Sequence, residues 1–279
     1  MSSATGRLSI IGTGIRLAGQ LTIEARHLVA GADQVLCVVD ELTLFHLRQI
    51  NPRSQSLQHC YAPGRSRDAS YAEMVERLLA PVHEGQHVCG VFYGHPGVFV
   101  WPGQEAVRQA RRAGFPATMY PGVSALDCLV ADLGLDPAVH GCQSFEAMDF
   151  LLYPRRIDAT ALLLLWQPVA LGDPQRSSFT TDSAWVQVLA EVLGESYPEH
   201  HPVIVYEAAT LPLAEPRVES VALSDLHRVE FTQRSTLVLE AAGPPIRSEQ
   251  RLARLGVSPD AIRTASFQRY RQAGRLDKD

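Results

Sequence analysis

The chain has 279 residues, 46% of them hydrophobic, enough to bury one large core or two moderate ones. Its formal net charge is −5 and no basic stripe interrupts the sequence, so a nucleic-acid partner is not expected. The only lysine is Lys278, in a terminal stretch where order is not expected, which removes Schiff-base, pyridoxal-phosphate and P-loop lysine chemistry.

Five cysteines, Cys37, Cys60, Cys89, Cys128 and Cys142, are scattered, form no CxxC and show no zinc-ligand spacing. Buried, reduced thiols in a cytoplasmic protein are expected, with no metal. The amino terminus has no charged segment followed by a long apolar run, so no signal peptide is read there. The longest apolar stretch, residues 161–166 (ALLLLW), is too short to span a bilayer, and no membrane association is expected.

Along the first half, β-rich runs alternate with helical patterns. Strands are predicted over 7–11, 34–39, 54–60, 87–93 and 117–120, and helices over 22–30, 42–50, 68–83 and 104–113. Gly31 stops the first helix and Asp40 closes the second strand. Tyr71, Met74, Val75, Leu78 and Leu79 recur at helical spacing in 68–83. This alternation implies a mainly parallel sheet with helices on both faces. In the second half a helix is predicted over 124–133, then strands over 160–167, 203–208, 218–222 and 235–240, interrupted by one long helix at 182–193. That pattern reads as a second α/β domain with a mixed sheet. The expected domains are residues 1–122 and 123–245, followed by a C-terminal tail at 246–279 with a short helical pattern and a polar end.

Three glycine loops each follow a strand. The first is Gly12-Thr13-Gly14, which with Asp40 after the second strand suggests a dinucleotide site. The third glycine of that fingerprint would fall at position 17, which is Leu17, so two glycines making a tight turn is an equal reading. The second loop is Tyr93-Gly94-His95-Pro96-Gly97-Val98-Phe99. The third, Pro121-Gly122-Val123-Ser124-Ala125, enters a helix, and its free N–H groups suit a ligand carboxylate. All three could meet at the carboxyl edge of one sheet.

At these loops the sequence resembles the tetrapyrrole methylases, the class III S-adenosylmethionine methyltransferases. The strand with GxG, the GHP-type loop and the PGVS segment stand in that family's order. GTGIRLAGQLT, YGHPGVF, PGVSALDCLVADLGLDP, CQSFEA, LLLWQ, VIVYEA, STLVL and LQHCYAPGRSRDASYAEM together resemble the borosin branch, whose members methylate backbone amides of a ribosomally made precursor peptide. The resemblance implies an α/β fold of two α/β domains with S-adenosylmethionine in the cleft between them. It implies a catalytic group of Tyr61, Arg67 and Tyr71. Implied cofactor contacts are Tyr93, His95, Val98, Ser124 and Ala125, completed by Gln167, Tyr206, Ser235 and Thr236. The branch often has another tyrosine at the position of Gln58, so a third phenol is not expected here. No apolar core peptide follows the methylase-like segment before Asp279, so a separate precursor peptide is expected. A homodimer, or a heterotetramer with two peptides, is expected by resemblance alone.

The chemistry suits these side chains. An amide nitrogen is a poor nucleophile because its lone pair is delocalised into the carbonyl. A tyrosine can take its proton if a cation such as Arg67 favours the phenolate. Alternatively, arginine and a tyrosine hydroxyl can bind the developing oxyanion. Arg67 and Tyr71 are four apart and share a helix face, while Tyr61 lies across a short loop containing Pro63 and Gly64. His95 could be imagined as a base, but reads as a loop histidine bonded to backbone or cofactor. His200–His201 reads as an exposed loop, and Trp166 as a core residue. The competing functions are methylation of a tetrapyrrole or other small molecule, peptide binding without catalysis and, more remotely, a nicotinamide oxidoreductase.

Overall fold

The computed structural model describes residues 6–62, 65–139, 141–173 and 180–258. The chain divides into two compact units. The first holds the residues up to Cys128 together with Ala208–Glu215, and the second holds Leu129–Glu207 and the residues from Pro216 on.

In the first unit, β1 (Arg7–Gly12), α1 (Ile23–Ala30), β2 (Gln34–Val38) and α2 (Glu41–Ile50) follow the predicted alternation. Side chains that accept backbone N–H groups start both helices: Thr22 from Ala25, and Asp40 from Thr43. Asp40 is therefore spent on a helix cap. Next come β3 (Ser54–Ser56), α3 (Arg67–His83), β4 (His87–Phe92), α4 (Trp101–Arg112) and β5 (Ala117–Met119). The sheet order is β3-β2-β4-β1-β5, and every pair is parallel. Alternate residues of β1 serve opposite faces. Leu8 and Ile10 join Met74, Leu78, Ala106 and Ala110 from α3 and α4. Ile11 joins Ala25, Val29, Leu44 and Leu47 from α1 and α2. Both faces are thus covered, as the parallel order requires.

Two boundaries differ from the sequence expectation. The strand expected over 54–60 ends at Ser56, because Leu57 N–H closes on Cys37 O at 2.7 Å and the chain then turns through a short 3-10 segment, Gln58–Cys60. The helix expected from 104 starts at Trp101, since a proline in the first turn lacks only an N–H that would have no helical partner.

The break between units falls after Cys128, not at 122. Gln20 Nε2 lies 3.4 Å from Cys128 Sγ, tying the start of α5 (Ala125–Leu133) to the first unit. Leu17 N–H donates to Thr210 O at 2.8 Å, which brings Ala208–Glu215 into the same unit.

The second unit contains β6 (Cys142–Glu146), α6 (Ala147–Leu152), β7 (Leu162–Trp166), α7 (Ser183–Gly194), β8 (Pro202–Glu207), β9 (Arg217–Ala222) and β10 (Thr236–Leu239). Its order is β6-β7-β10-β8-β9, with β6 parallel to β7 and the other pairs antiparallel. The core beneath it gathers Leu163, Leu165, Leu189, Leu193, Val203, Val205, Leu237 and Leu239. Trp166 is a buried residue of β7, its indole N–H 2.7 Å from Ser144 Oγ. His201 is not exposed as expected. It is buried, its ring 4.8 Å from that of Tyr197 and its Nε2 3.1 Å from Glu240 O. The expected tail yields one short helix, α8 (Glu249–Leu255), and residues 259–279 lie outside the described residues.

Cys37, Cys60 and Cys89 are buried as expected, but Cys128 is half-buried and Cys142 is exposed on the edge strand β6. Among the described residues no helix is long and apolar enough to cross a membrane.

Candidate active site

The three glycine loops meet at the carboxyl edge of the first sheet. Gly14 and Gly94 form an antiparallel bridge, with N–H···O distances of 3.3 and 3.0 Å. A Cβ on Gly12 would stand 2.0 Å from Gly94 O, and one on Gly122 would stand 3.0 Å from the same oxygen and 3.2 Å from Gly12 Cα. Only bare backbone allows this approach, so main-chain groups of three segments form one cradle. The first loop is no phosphate nest. The N–H groups of Ile15 and Arg16 both point at Gln20 Oε1, at 2.7 and 2.8 Å, and no helix starts before Ile23. A pyrophosphate would find neither the free amides nor the helix end that it needs, which removes the nicotinamide reading.

The third loop also differs from the expectation of a carboxylate site. Ser124 N–H and Oγ both bond Asp127 Oδ2, at 2.6 and 2.7 Å. A negative charge already sits at the start of α5, so the position favours a cationic ligand group over an anionic one.

Beside this edge lies a group of aromatic rings. The 3-10 turn places Tyr61 after buried Cys60, its N–H bonded to Gln58 O at 3.0 Å. Gln58 donates Nε2 to Val39 O at 3.2 Å and so fixes this turn. Pro63 and Gly64 lie outside the described residues. Ser66 then caps α3, accepting from Ala69 N–H at 3.2 Å, and sets Arg67 and Tyr71 one turn apart. The Tyr61 and Tyr71 rings meet edge to face, with centroids 6.3 Å apart at 77°. The Arg67 guanidinium lies over the Tyr61 ring, 4.6 Å from its centroid. Burial, and next the charge of Tyr71, push the Tyr61 phenol up to about 12, outweighing the lowering by Arg67 and its hydrogen bond. The cation does not make Tyr61 a phenolate. Tyr61 stays protonated and is a hydrogen-bond donor.

The remaining loop residues line the same unit. Tyr93 and Val98 are exposed. His95 Nδ1 accepts Gly97 N–H at 3.0 Å, so the imidazole braces its own loop. Ala125 is half-buried in the first turn of α5.

A sequence model of the Tetrapyrrole (Corrin/Porphyrin) Methylases matches residues 7–226. The chain belongs to this family. It is 38% identical over 230 residues to the methyltransferase/ribosomally synthesized cyclic peptide omphalotin A precursor of Omphalotus olearius, covering 82% of this chain and 55% of that protein. It is 37% identical over 241 residues to the corresponding gymnopeptides precursor of Gymnopus fusipes, covering 86% and 57%. With the type I borosin cyclic peptide precursor of Serendipita vermifera subsp. bescii it shares 35% identity over 278 residues, covering 94% and 66%. The chain thus spans little more than half the length of these first two relatives. Its fold is that of uroporphyrin-III-C-methyltransferase from Thermus thermophilus, with a TM-score of 0.62 at 23% identity over 85% of this chain and 93% of that one.

In the second unit, Tyr206 and Ser235 of the expected site residues are engaged by their own neighbours. Gln167 ends β7 in the left-handed region, with φ 55°, and is half-buried. Tyr206 is fully buried and its hydroxyl donates to Asp132 Oδ2 at 2.7 Å. Ser235 Oγ donates to Glu207 Oε1 at 2.7 Å and accepts Thr232 N–H at 2.8 Å. Thr236 is buried between β7 and β8. Arg217 pairs with Glu207 at 3.0 Å, and Arg234 lies 3.6 Å away. Burial raises the Glu207 carboxyl, but the hydrogen bonds from Ser235, Thr232 and Arg217 together hold it below the usual range.

Sequence reasoning missed the Glu207 network, the Asp127 cap and Trp101. The Tyr71 ring stacks on the Trp101 indole, with centroids 6.1 Å apart and planes at 23°. The sequence signal was a tryptophan two residues past the second glycine loop. His59, Cys60 and Glu73 also bring potential metal-ligand atoms within 4.8 Å of one another. Glu73, however, is ion-paired with Arg65 and Arg77, and burial, with Glu73 next, pushes the Cys60 thiol up. Two guanidiniums repel a cation, and a thiol held in its neutral form offers it no thiolate.

Proposed function

We propose that this chain transfers methyl groups from S-adenosylmethionine to backbone amide nitrogens of a ribosomally made peptide, presented as a separate molecule to a homodimer of the enzyme. The observation that carries the reading is the cluster of Tyr61, Arg67 and Tyr71, joined through Trp101 to the loop 93–99. The relatives named as methyltransferases and cyclic peptide precursors support the acceptor class.

When bound, S-adenosylmethionine supplies an electrophilic methyl group on a sulfonium. The residues present fit such a ligand. The backbone cradle around Gly12, Gly94 and Gly122 offers main-chain donors and acceptors, and Asp127 supplies a negative charge for a cationic group. Tyr93, His95, Val98, Ser124 and Ala125 are the first unit's candidates to hold it, and Gln167, Tyr206, Ser235 and Thr236 those of the second.

The acceptor amide must lose its proton while its oxygen gains charge. Tyr61, held protonated, and Arg67 are the donors for that oxygen. Tyr71, bonded to Tyr61 and four residues from Arg67, is left to take the amide proton, which it does as the phenolate, becoming the phenol. Positioning contributes as much as proton transfer, because the displacement must be in line.

The test uses purified enzyme with S-adenosylmethionine and, separately, an apolar peptide or a uroporphyrinogen-type tetrapyrrole. Methyl groups on peptide backbone fragments support the reading. Methylation of the tetrapyrrole alone reassigns the acceptor, and peptide binding without methylation reduces the chain to a binding module. Gly122→Ala should weaken cofactor binding by about tenfold or more, since its Cβ would press on two backbones.

A further inference from the structure

We propose that Trp101 is a positioning residue for Tyr71, fixing the phenol in the orientation that the methyl transfer needs; this rests on the peptide-methylation reading above. Tyr71 projects from the second turn of α3, and its ring is half-buried. Two aromatic neighbours define where that ring can lie. Tyr61 meets it edge on, at 6.3 Å and 77°, and Trp101 lies nearly parallel to it, at 6.1 Å and 23°. Centroid distances and angles of this kind are those of edge-to-face and offset-stacked aromatic pairs. A phenol bounded on both sides loses the ring rotation that a half-exposed tyrosine otherwise keeps.

Trp101 is itself 52% exposed, an unusual position for the largest apolar side chain unless its inner face is used. It is the first residue of α4, and the next helical residues, Pro102 and Gly103, are buried. α4 packs on α3, and Val107 and Ala110 share one core with Met74, Leu78 and Leu79, so the two helices that carry Trp101 and Tyr71 are held together. The indole therefore stands on a rigid base. Only Val100 separates it from the loop that ends at Val98 and Phe99, with Phe99 at φ 55°. Any shift of that loop on ligand binding is transmitted to the indole, and through the stack to Tyr71.

The prediction separates orientation from binding. Trp101→Ala should lower kcat by about tenfold to a hundredfold, the range expected when a reacting group is misplaced, with the KM for S-adenosylmethionine changed by less than about twofold. Trp101→Phe keeps a stacking ring and should recover kcat to within about threefold of wild type. A second measurement needs no turnover: the near-ultraviolet circular dichroism lost on Trp101→Leu and on Tyr71→Leu should be non-additive in the double variant, with far-ultraviolet spectra unchanged. Full kcat in Trp101→Ala, or no rescue by phenylalanine, overturns the proposal, as does additivity of the dichroism losses. If wild-type enzyme methylates no peptide, the function reading falls, and the dichroism cycle still decides whether Trp101 fixes Tyr71.

Discussion

The aromatic cluster of the first unit and the Glu207 network of the second are both polar constellations that a methylase could use, yet they are built in opposite ways. Tyr61, Arg67 and Tyr71 are half-buried on a turn and a helix start, where the two rings meet edge to face and the guanidinium lies over one of them. Glu207, Tyr206 and Thr236 are buried on central strands and Ser235 just before one, and the side chains of Glu207, Ser235 and Tyr206 are spent on one another or on Asp132 and Arg217. A group that must exchange a proton with a substrate needs accessible, incompletely satisfied polar atoms. A group that holds a sheet needs the reverse. The contrast fits the proposed proton exchange at the first cluster and a fixed, prearranged set of groups at the second.

Substitutions should separate the two in kind as well as size. Tyr71→Phe should lower kcat by roughly a thousandfold while leaving cofactor affinity within about threefold, measured by single-turnover methylation and calorimetry. Turnover within about threefold of wild type would remove Tyr71 from the reaction. Tyr61→Phe should cost about a hundredfold, the usual effect of losing one oxyanion donor. Glu207→Ala should instead lower the unfolding free energy by about 2–3 kcal/mol, read by denaturant titration, because a buried network loses its acceptor. A large loss of kcat in Glu207→Ala at unchanged stability would erase the distinction.

Two pH dependences sharpen it further. Tyr61 is held up at about 12, so its protonated form persists across the ordinary range, and kcat should show no alkaline limb from this residue below about pH 10. The Glu207 carboxyl is depressed in the folded state. Its contribution to stability is therefore present above the unfolded glutamate value of about 4.3, and is lost as pH falls through the folded value. The stability gap between wild type and Glu207→Gln should be full at neutral pH and close below about pH 4. A gap independent of pH would mean that the carboxylate charge is not what the network uses.

Much of this architecture can be read from the sequence where local pattern and burial agree. β1, β2, β4 and α3 carry apolar periodicities that match the faces they bury, and the glycines of the three loops mark where backbones touch. β6 and α6 escape such reading. Cys142–Glu146 is an edge strand of exposed and half-buried residues without β-branched side chains, and α6 is barely two turns long. The candidate site divides the same way. Tyr61, Arg67 and Tyr71 are found through a motif. The Trp101 stack depends on how α3 and α4 pack, and no spacing along the chain reports that. The charge of Asp127 at α5 was equally hidden, because an aspartate in a first turn reads as an ordinary helix feature.

The most direct test is tandem mass spectrometry of a peptide incubated with S-adenosylmethionine and either wild-type enzyme or Tyr71→Phe. The account predicts backbone fragments heavier by one methylene per modified amide with wild type, and unmodified peptide with the variant. Methylation confined to side chains, or equal backbone methylation by both proteins, would contradict it.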